Sequence, residues 1–140
     1  MDNLELFRLI GSISRRATRE VNQMVKAYDL DNNLFLYLLR IVEHPGLTQY
    51  ELIQLVEVDK TTMSRSLKKL LDKGYIRKAV DDQNRNFKRL FPTGQALNIQ
   101  KEIAQIESEY VDEQLVNLST DEKGKLSAIL LKIQASSTSK

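Results

Sequence analysis

Residues 58–90, VDKTTMSRSLKKLLDKGYIRKAVDDQNRNFKRL, leave few ways for this chain to fold. Asp59 is a strong helix N-cap, and Met63, Leu67, Leu70 and Leu71 follow at steps of three and four. Gly74 stands where a helix closes through a left-handed residue. Two short segments, 75–80 and 86–91, then flank the turn-rich Asp81-Asp82-Gln83-Asn84-Arg85, which predicts a β-hairpin. The same stretch holds ten Lys or Arg against four acids, a charge of +6. The rest of the chain has 11 basic and 15 acidic residues, so the net +2 conceals a strong asymmetry. Positive charge gathered on one helix and one hairpin is the footprint of a duplex nucleic-acid reader, because neutralising phosphates supplies most of the binding energy.

Upstream, Thr48-Gln49-Tyr50-Glu51 is a T-x-x-E capping box that launches a short helix to about Leu55, and Val56-Glu57-Val58 makes a tight turn. Two short helices, a tight turn and a basic hairpin make a winged helix-turn-helix head, expected over about residues 30–92. Leu34 to Val42 is apolar on nearly every side and belongs in the middle of a core, with Asp31 or Asn32 as its cap. Only two prolines and five glycines interrupt the 140 residues, which favours long helices. Leu6, Ile10, Ile13, Ala17, Val21, Met24 and Tyr28 mark a first amphipathic helix. Pro92-Thr93 opens another, with the seam Ala96, Ile99, Ile103, Ile106 and Tyr110. Ser119-Thr120-Asp121-Glu122 is a second capping box, starting a helix with Leu126, Ile129, Leu130 and Ile133. Residues 137–140 read as a frayed tail. The fold class is mainly α with a small β-hairpin wing: one domain, residues 1–140, whose head is flanked by long helices at 1–29 and 93–136.

The inventory argues against other classes. No run approaches the roughly 20 apolar residues that span a bilayer, and the acidic start MDNLELFRLI is not a secretory signal. No cysteine and a single histidine leave no disulfide, no cysteine redox sensor and no credible zinc cluster. A cytoplasmic protein without cofactor or metal is expected. No Ser-His-Asp arrangement, Gly-rich phosphate loop or H-E-x-x-H supports an enzyme. His44, in EHPG, reads as a helix-end residue favoured by the dipole.

In a helix-turn-helix the second helix presents its N-terminal residues to base edges in the major groove. With Met63 and Leu67 toward the core, Lys60, Thr61, Ser64, Arg65 and Lys68 lie on the opposite side. Thr61, Ser64 and Arg65 suit base edges, and Arg65 can bridge guanine O6 and N7. Thr62 shares that role or serves a phosphate. Lys60, Lys68 and Lys69, as point charges, suit phosphates, as do Arg77 and Lys88 on the hairpin. Arg85 at the hairpin tip is the candidate for the minor groove.

These elements resemble the MarR family of bacterial transcription regulators over almost the whole chain: T-x-x-E-L at 48–52, VDKTTMSRSLKKLLDKGYI at 58–76, and a wing that follows the family pattern D-P-x-D-R-R-x5-L-T-x-x-G without gaps. Asp81, Arg85 and Thr93 match it. Asn84 and Asn86 replace the Asp and second Arg of the wing signature, Pro92 replaces the Leu, and Ala96 replaces the Gly, so the family's wing-tip ion pair is absent. The resemblance implies a homodimer joined through the terminal helices, double-stranded DNA with a pseudopalindromic operator as partner, and repression relieved by a small aromatic or anionic effector. By position, Arg15 and Phe35 are the anion anchor and ring wall of such an effector site. The alternative is a winged-helix protein-interaction module without a DNA-binding role, which needs no basic face.

Overall fold

The computed structural model describes residues 1–138. In chain order they form α1 (Asn3–Met24), a 3-10 turn (Lys26–Tyr28), α2 (Leu34–Glu43), α3 (Gln49–Val56), α4 (Lys60–Asp72), β1 (Ile76–Val80), β2 (Lys88–Pro92), α5 (Gly94–Gln114) and α6 (Thr120–Thr138). Two compact units result, Met1–Ser108 and a second from Glu109 onward.

In the first unit α2 is the central element. Leu34, Phe35, Tyr37, Leu38, Leu39 and Ile41 are all buried, and α2 packs against α3, α4 and β2. Such burial contributes about 1.5–3 kcal/mol for each large side chain. The cap of α2 differs from the expectation. Asn33 holds the N-cap position at φ 67°, without a side-chain capping bond. Its amide is taken up elsewhere: Asn22 Nδ2 donates to Asn33 Oδ1 at 2.8 Å, and the Asn33 N–H donates to Asn22 Oδ1 at 2.9 Å. The Asn33 carboxamide thus ties the loop to α1 and is not available as a helix cap.

The first helix also departs at both ends. It starts at Asn3, because Asp2 and Glu5 form a capping box that the apolar spacing did not reveal. It stops at Met24 and gives way to the 3-10 turn, which closes at Asp29 with φ 61°.

The helix-turn-helix forms as its caps dictate. Thr48 Oγ1 accepts from the Glu51 N–H at 3.1 Å while the Thr48 N–H donates to Glu51 Oε1 at 3.0 Å. Glu57 turns the chain at φ 53°, and Asp59 Oδ2 then accepts from the Thr62 N–H at 3.2 Å to open α4. At the far end Gly74 takes φ 80°, its N–H donates to the Leu71 carbonyl, and the Tyr75 N–H donates to the Leu70 carbonyl, both at 3.0 Å. That pair of bonds is the Schellman closure, which favours glycine at this point. The buried face of α4 is Met63, Ser66, Leu67 and Leu70, with Leu71 only half covered. Ser66 is tolerated inside because its hydroxyl bonds to the phenol of Tyr37, whose pKa burial raises and that bond partly restores.

The strands pair antiparallel from Ile76 opposite Pro92 to Val80 opposite Lys88. The hairpin has a third member: the Gly46 N–H donates to the Leu90 carbonyl at 2.7 Å, and the Leu90 N–H donates to the Leu47 carbonyl at 2.8 Å. The segment ahead of α3 is thereby stitched to β2. Thr93 joins the hairpin to α5, donating from its hydroxyl to the Gly74 carbonyl at 2.6 Å and accepting from the Ala96 N–H at 3.3 Å. On α5, Ala96 and Ile103 are buried, with Ile99 and Ile106 half-buried.

Ser119 and Glu122 form the expected capping box of α6, with bonds of 2.9 and 3.1 Å. Residues 137–138 are helical rather than frayed, and the remainder of the expected tail, 139–140, lies outside the described residues. Leu126, Ile129, Leu130 and Leu131 of α6 are 40–61% exposed. Leu4, Leu6, Phe7, Leu9 and Ile13 of α1 are 44–62% exposed. No helix among the described residues is long and apolar enough to cross a membrane.

Candidate nucleic-acid interface

The helical period divides α4 into two faces. Met63, Leu67 and Leu70 are fully buried, while Lys60, Thr61, Thr62, Ser64, Arg65, Lys68 and Lys69 are all exposed. Exposure alone does not equate their roles, because their neighbours differ. Thr62 is occupied at the helix start: its N–H and hydroxyl both bond to Asp59 and hold that carboxyl below the usual carboxylate range. Ser64 Oγ accepts from Gln49 Nε2 at 3.0 Å, which joins the first residue of α3 to the exposed side of α4. Lys69 sits farther round the helix, lining a depression with Asp29, Asp31, Asp72 and Lys73. Three carboxylates nearby make Lys69 a weaker source of positive potential than Lys60, Arg65 or Lys68.

The hairpin sorts its cations in the same way. Arg89 Nε and Nη2 donate to Asp81 Oδ2 at 3.1 and 2.9 Å, and Arg89 Nη1 donates to the Gly46 carbonyl at 2.9 Å. Lys73 is committed to Asp29. Arg77 is exposed but stacks over the Phe91 ring with its guanidinium carbon 4.5 Å from the centroid. Lys78, Arg85 and Lys88 are exposed, and Arg85 occupies the loop between the strands. Of the ten basic residues in 58–90, only Lys73 and Arg89 form salt bridges among the described residues.

The wing loop is bonded internally although the family's wing-tip ion pair is absent. The Gln83 N–H donates to Asp81 Oδ1 at 2.9 Å, the Asn86 N–H to Asn84 Oδ1 at 3.1 Å, and the Phe87 N–H to the Asn84 carbonyl at 3.0 Å. The first two are side-chain turns of the kind Asx residues favour, and the third is a backbone turn. Asn84 thus has a local structural task, and the brace of the wing lies where the loop leaves the strands, between Asp81 and Arg89.

The two effector candidates are not brought together. Arg15 is exposed and lines a polar groove with Arg19, Asn22, Lys26 and Asp31. Phe35 does not border that groove and is 1% exposed, so within one chain it is core and no ring wall. Its place on the inward face of the most apolar helix explains the difference. Two residues of consequence were not evident from sequence, Gln49 and Arg89. Gln49 had a signal, as the first residue after the Thr48 cap.

The sequence profile of the MarR family matches residues 28–85. The uncharacterised HTH-type transcriptional regulator YybA of Bacillus subtilis (strain 168) is 34% identical over 130 residues, which cover 93% of this chain and 87% of that protein. The chain belongs to the MarR family. Solved structures agree with that assignment. The transcriptional regulator SlyA superposes with a TM-score of 0.89 at 30% identity, over 94% of this chain and 92% of its own. A putative MarR family transcriptional regulator from Listeria monocytogenes, complexed with 26mer DNA, gives 0.90 at 30% identity, over 97% and 89%. Membership of the MarR family makes this chain a winged-helix transcriptional regulator and not an enzyme.

Proposed function

We propose that this regulator binds double-stranded DNA sequence-specifically as a homodimer and acts as a repressor in the cytoplasm. The observation that carries the reading is the exposed side of α4, where Lys60, Arg65 and Lys68 form no ion pair among the described residues while Lys73 and Arg89 are neutralised. A surface that leaves these charges unmatched gains when phosphates replace counterions. In this reading α4 enters the major groove with Thr61, Ser64 and Arg65 toward base edges, and Lys60, Lys68 and Lys69 hold the backbone. Arg77 and Lys88 add phosphate contacts, and Arg85 reaches the minor groove. Thr62 serves chiefly as part of the cap. The Listeria monocytogenes relative bound to DNA supports this assignment of partner.

Dimerisation through residues 1–29 and 93–136 is supported by the uncovered apolar side chains of α1 and α6, which a water-facing surface does not retain at such density without a partner. Two-fold symmetry then requires a pseudopalindrome with half-sites about one helical turn apart. Relief by a small anionic ligand completes the reading, with Arg15, Arg19 and Lys26 around the α1 groove as the cationic side chains available to it.

Selection of protein-bound fragments from genomic DNA tests the proposal. Enrichment of a pseudopalindrome with half-site centres about 10 base pairs apart is expected. Recovery of fragments without a shared motif would overturn it.

A further inference from the structure

The bond from Gln49 to Ser64 sets which way Ser64 can read a base. A serine hydroxyl has one hydrogen to donate and two lone pairs to accept with, so on its own it pairs with either kind of base edge. Here Gln49 Nε2 donates to Ser64 Oγ at 3.0 Å, filling one lone pair. No bond donated by Ser64 is present among the described residues, which leaves its hydrogen for a partner outside the protein. Gln49 is suited to impose this polarity. It stands first in α3, directly after the Thr48 cap, whose reciprocal bonds with Glu51 fix the helix start. It is also half-buried, whereas Ser64 is exposed on the same side of α4 as Lys60 and Arg65.

We infer that Gln49 is a positioning residue for sequence recognition, holding Ser64 as a hydrogen-bond donor toward the major groove. Ser64 then favours acceptor atoms, guanine N7 and O6, adenine N7 or thymine O4, over the amino group that is all cytosine offers in the major groove. The inference rests on the proposed DNA-binding function and adds to it the chemical class of base that one side chain reads.

Exchanging the amide for a carboxylate tests it, because ionised Glu only accepts. In Gln49→Glu the Ser64 hydrogen is drawn to the carboxylate, and only lone pairs remain for the base. Binding of wild type, Gln49→Glu, Gln49→Leu and Ser64→Ala would be measured by competition on duplexes randomised one base pair at a time, at one fixed salt concentration. Loss of discrimination in Ser64→Ala identifies the pair that Ser64 faces. At that pair the wild type should disfavour cytosine at the base facing Ser64 by about fivefold, the factor expected of one net hydrogen bond. Gln49→Glu should relieve the discrimination against cytosine and lower binding to guanine and thymine, and Gln49→Leu should remove most of the preference. A uniform loss of affinity from the added negative charge cancels in these ratios. Glu is favourable at a helix N-terminus, so α3 should still form, and thermal unfolding checks that it does.

An unchanged preference in both Gln49 variants, or no pair sensitive to Ser64→Ala, would overturn the inference while the DNA-binding reading stands. A wild type that does not distinguish its selected site from random duplex would instead overturn that reading.

Discussion

Arg89 grips Asp81 through two nitrogens, Nε at 3.1 Å and Nη2 at 2.9 Å, and with its third nitrogen reaches the Gly46 carbonyl at 2.9 Å. One side chain on β2 thus joins the loop-side end of β1 to the segment that leads into α3. The wing is braced where its loop leaves the strands, even though Asn84 and Asn86 leave no ion pair at its tip.

Arg89→Ala should loosen the hairpin, seen as faster amide exchange at Leu90 and a nearly uniform fall in affinity for all DNA sequences. The pH dependence follows from Asp81. The Gln83 N–H and then Arg89 hold its carboxyl below the ordinary value of about 3.9. A depressed folded-state pKa means that the contribution is complete above the unfolded value and disappears as pH falls through the folded one. Thermal midpoints of wild type and Asp81→Asn should therefore differ near neutrality and begin to converge only as pH falls below about 4, toward the depressed folded-state value. A gap that persists or widens on acidification would show that the carboxylate is not the brace.

Arg65 and Lys68 are expected to separate reading from holding. Arg65→Ala should cost about 1–3 kcal/mol on the selected site and relax discrimination at one base pair in each half-site. Lys68→Ala should weaken cognate and random duplexes by the same factor. Equal losses for Arg65→Ala on both would make Arg65 a phosphate contact.

How much of this was legible in the sequence depended on how local each cause is. The span of α4 followed from Asp59, the apolar spacing and Gly74, all within one helix. The capping boxes at Thr48 and Ser119 were equally plain, since both partners lie three residues apart. The Asn33 cap was not, because its side chain answers Asn22 eleven positions away. Arg89 was one of ten cations by count, and only a contact with Gly46, 43 positions distant, distinguishes it. Gln49 and Ser64 meet across the helix-turn-helix, where the turn geometry rather than either residue type decides the contact. Charge composition pointed to the proposed interface but could not tell neutralised cations from those still available.

The exposed apolar side chains of α1 make a direct claim about assembly. Ile13→Glu would place a charge on a surface that the proposed dimer buries, where an unpaired charge is costly. In sedimentation experiments the wild type should have twice the mass of one chain, and Ile13→Glu should shift toward the monomer with its helical content retained. A wild type that is monomeric at micromolar concentration would remove the basis for a two-half-site operator.

Equilibrium binding of the wild type to its selected duplex and to a scrambled duplex, each across a series of salt concentrations, tests the account most directly. Each phosphate contact contributes about −0.9 to the slope of log K against log[salt], so several cations on each of two heads should give a slope of roughly −4 or steeper. At physiological salt the selected duplex should bind at least about a thousandfold more tightly than the scrambled one. A flat salt dependence, or equal affinity for the two duplexes, would contradict the assignment of α4 and the wing as a sequence-reading DNA interface.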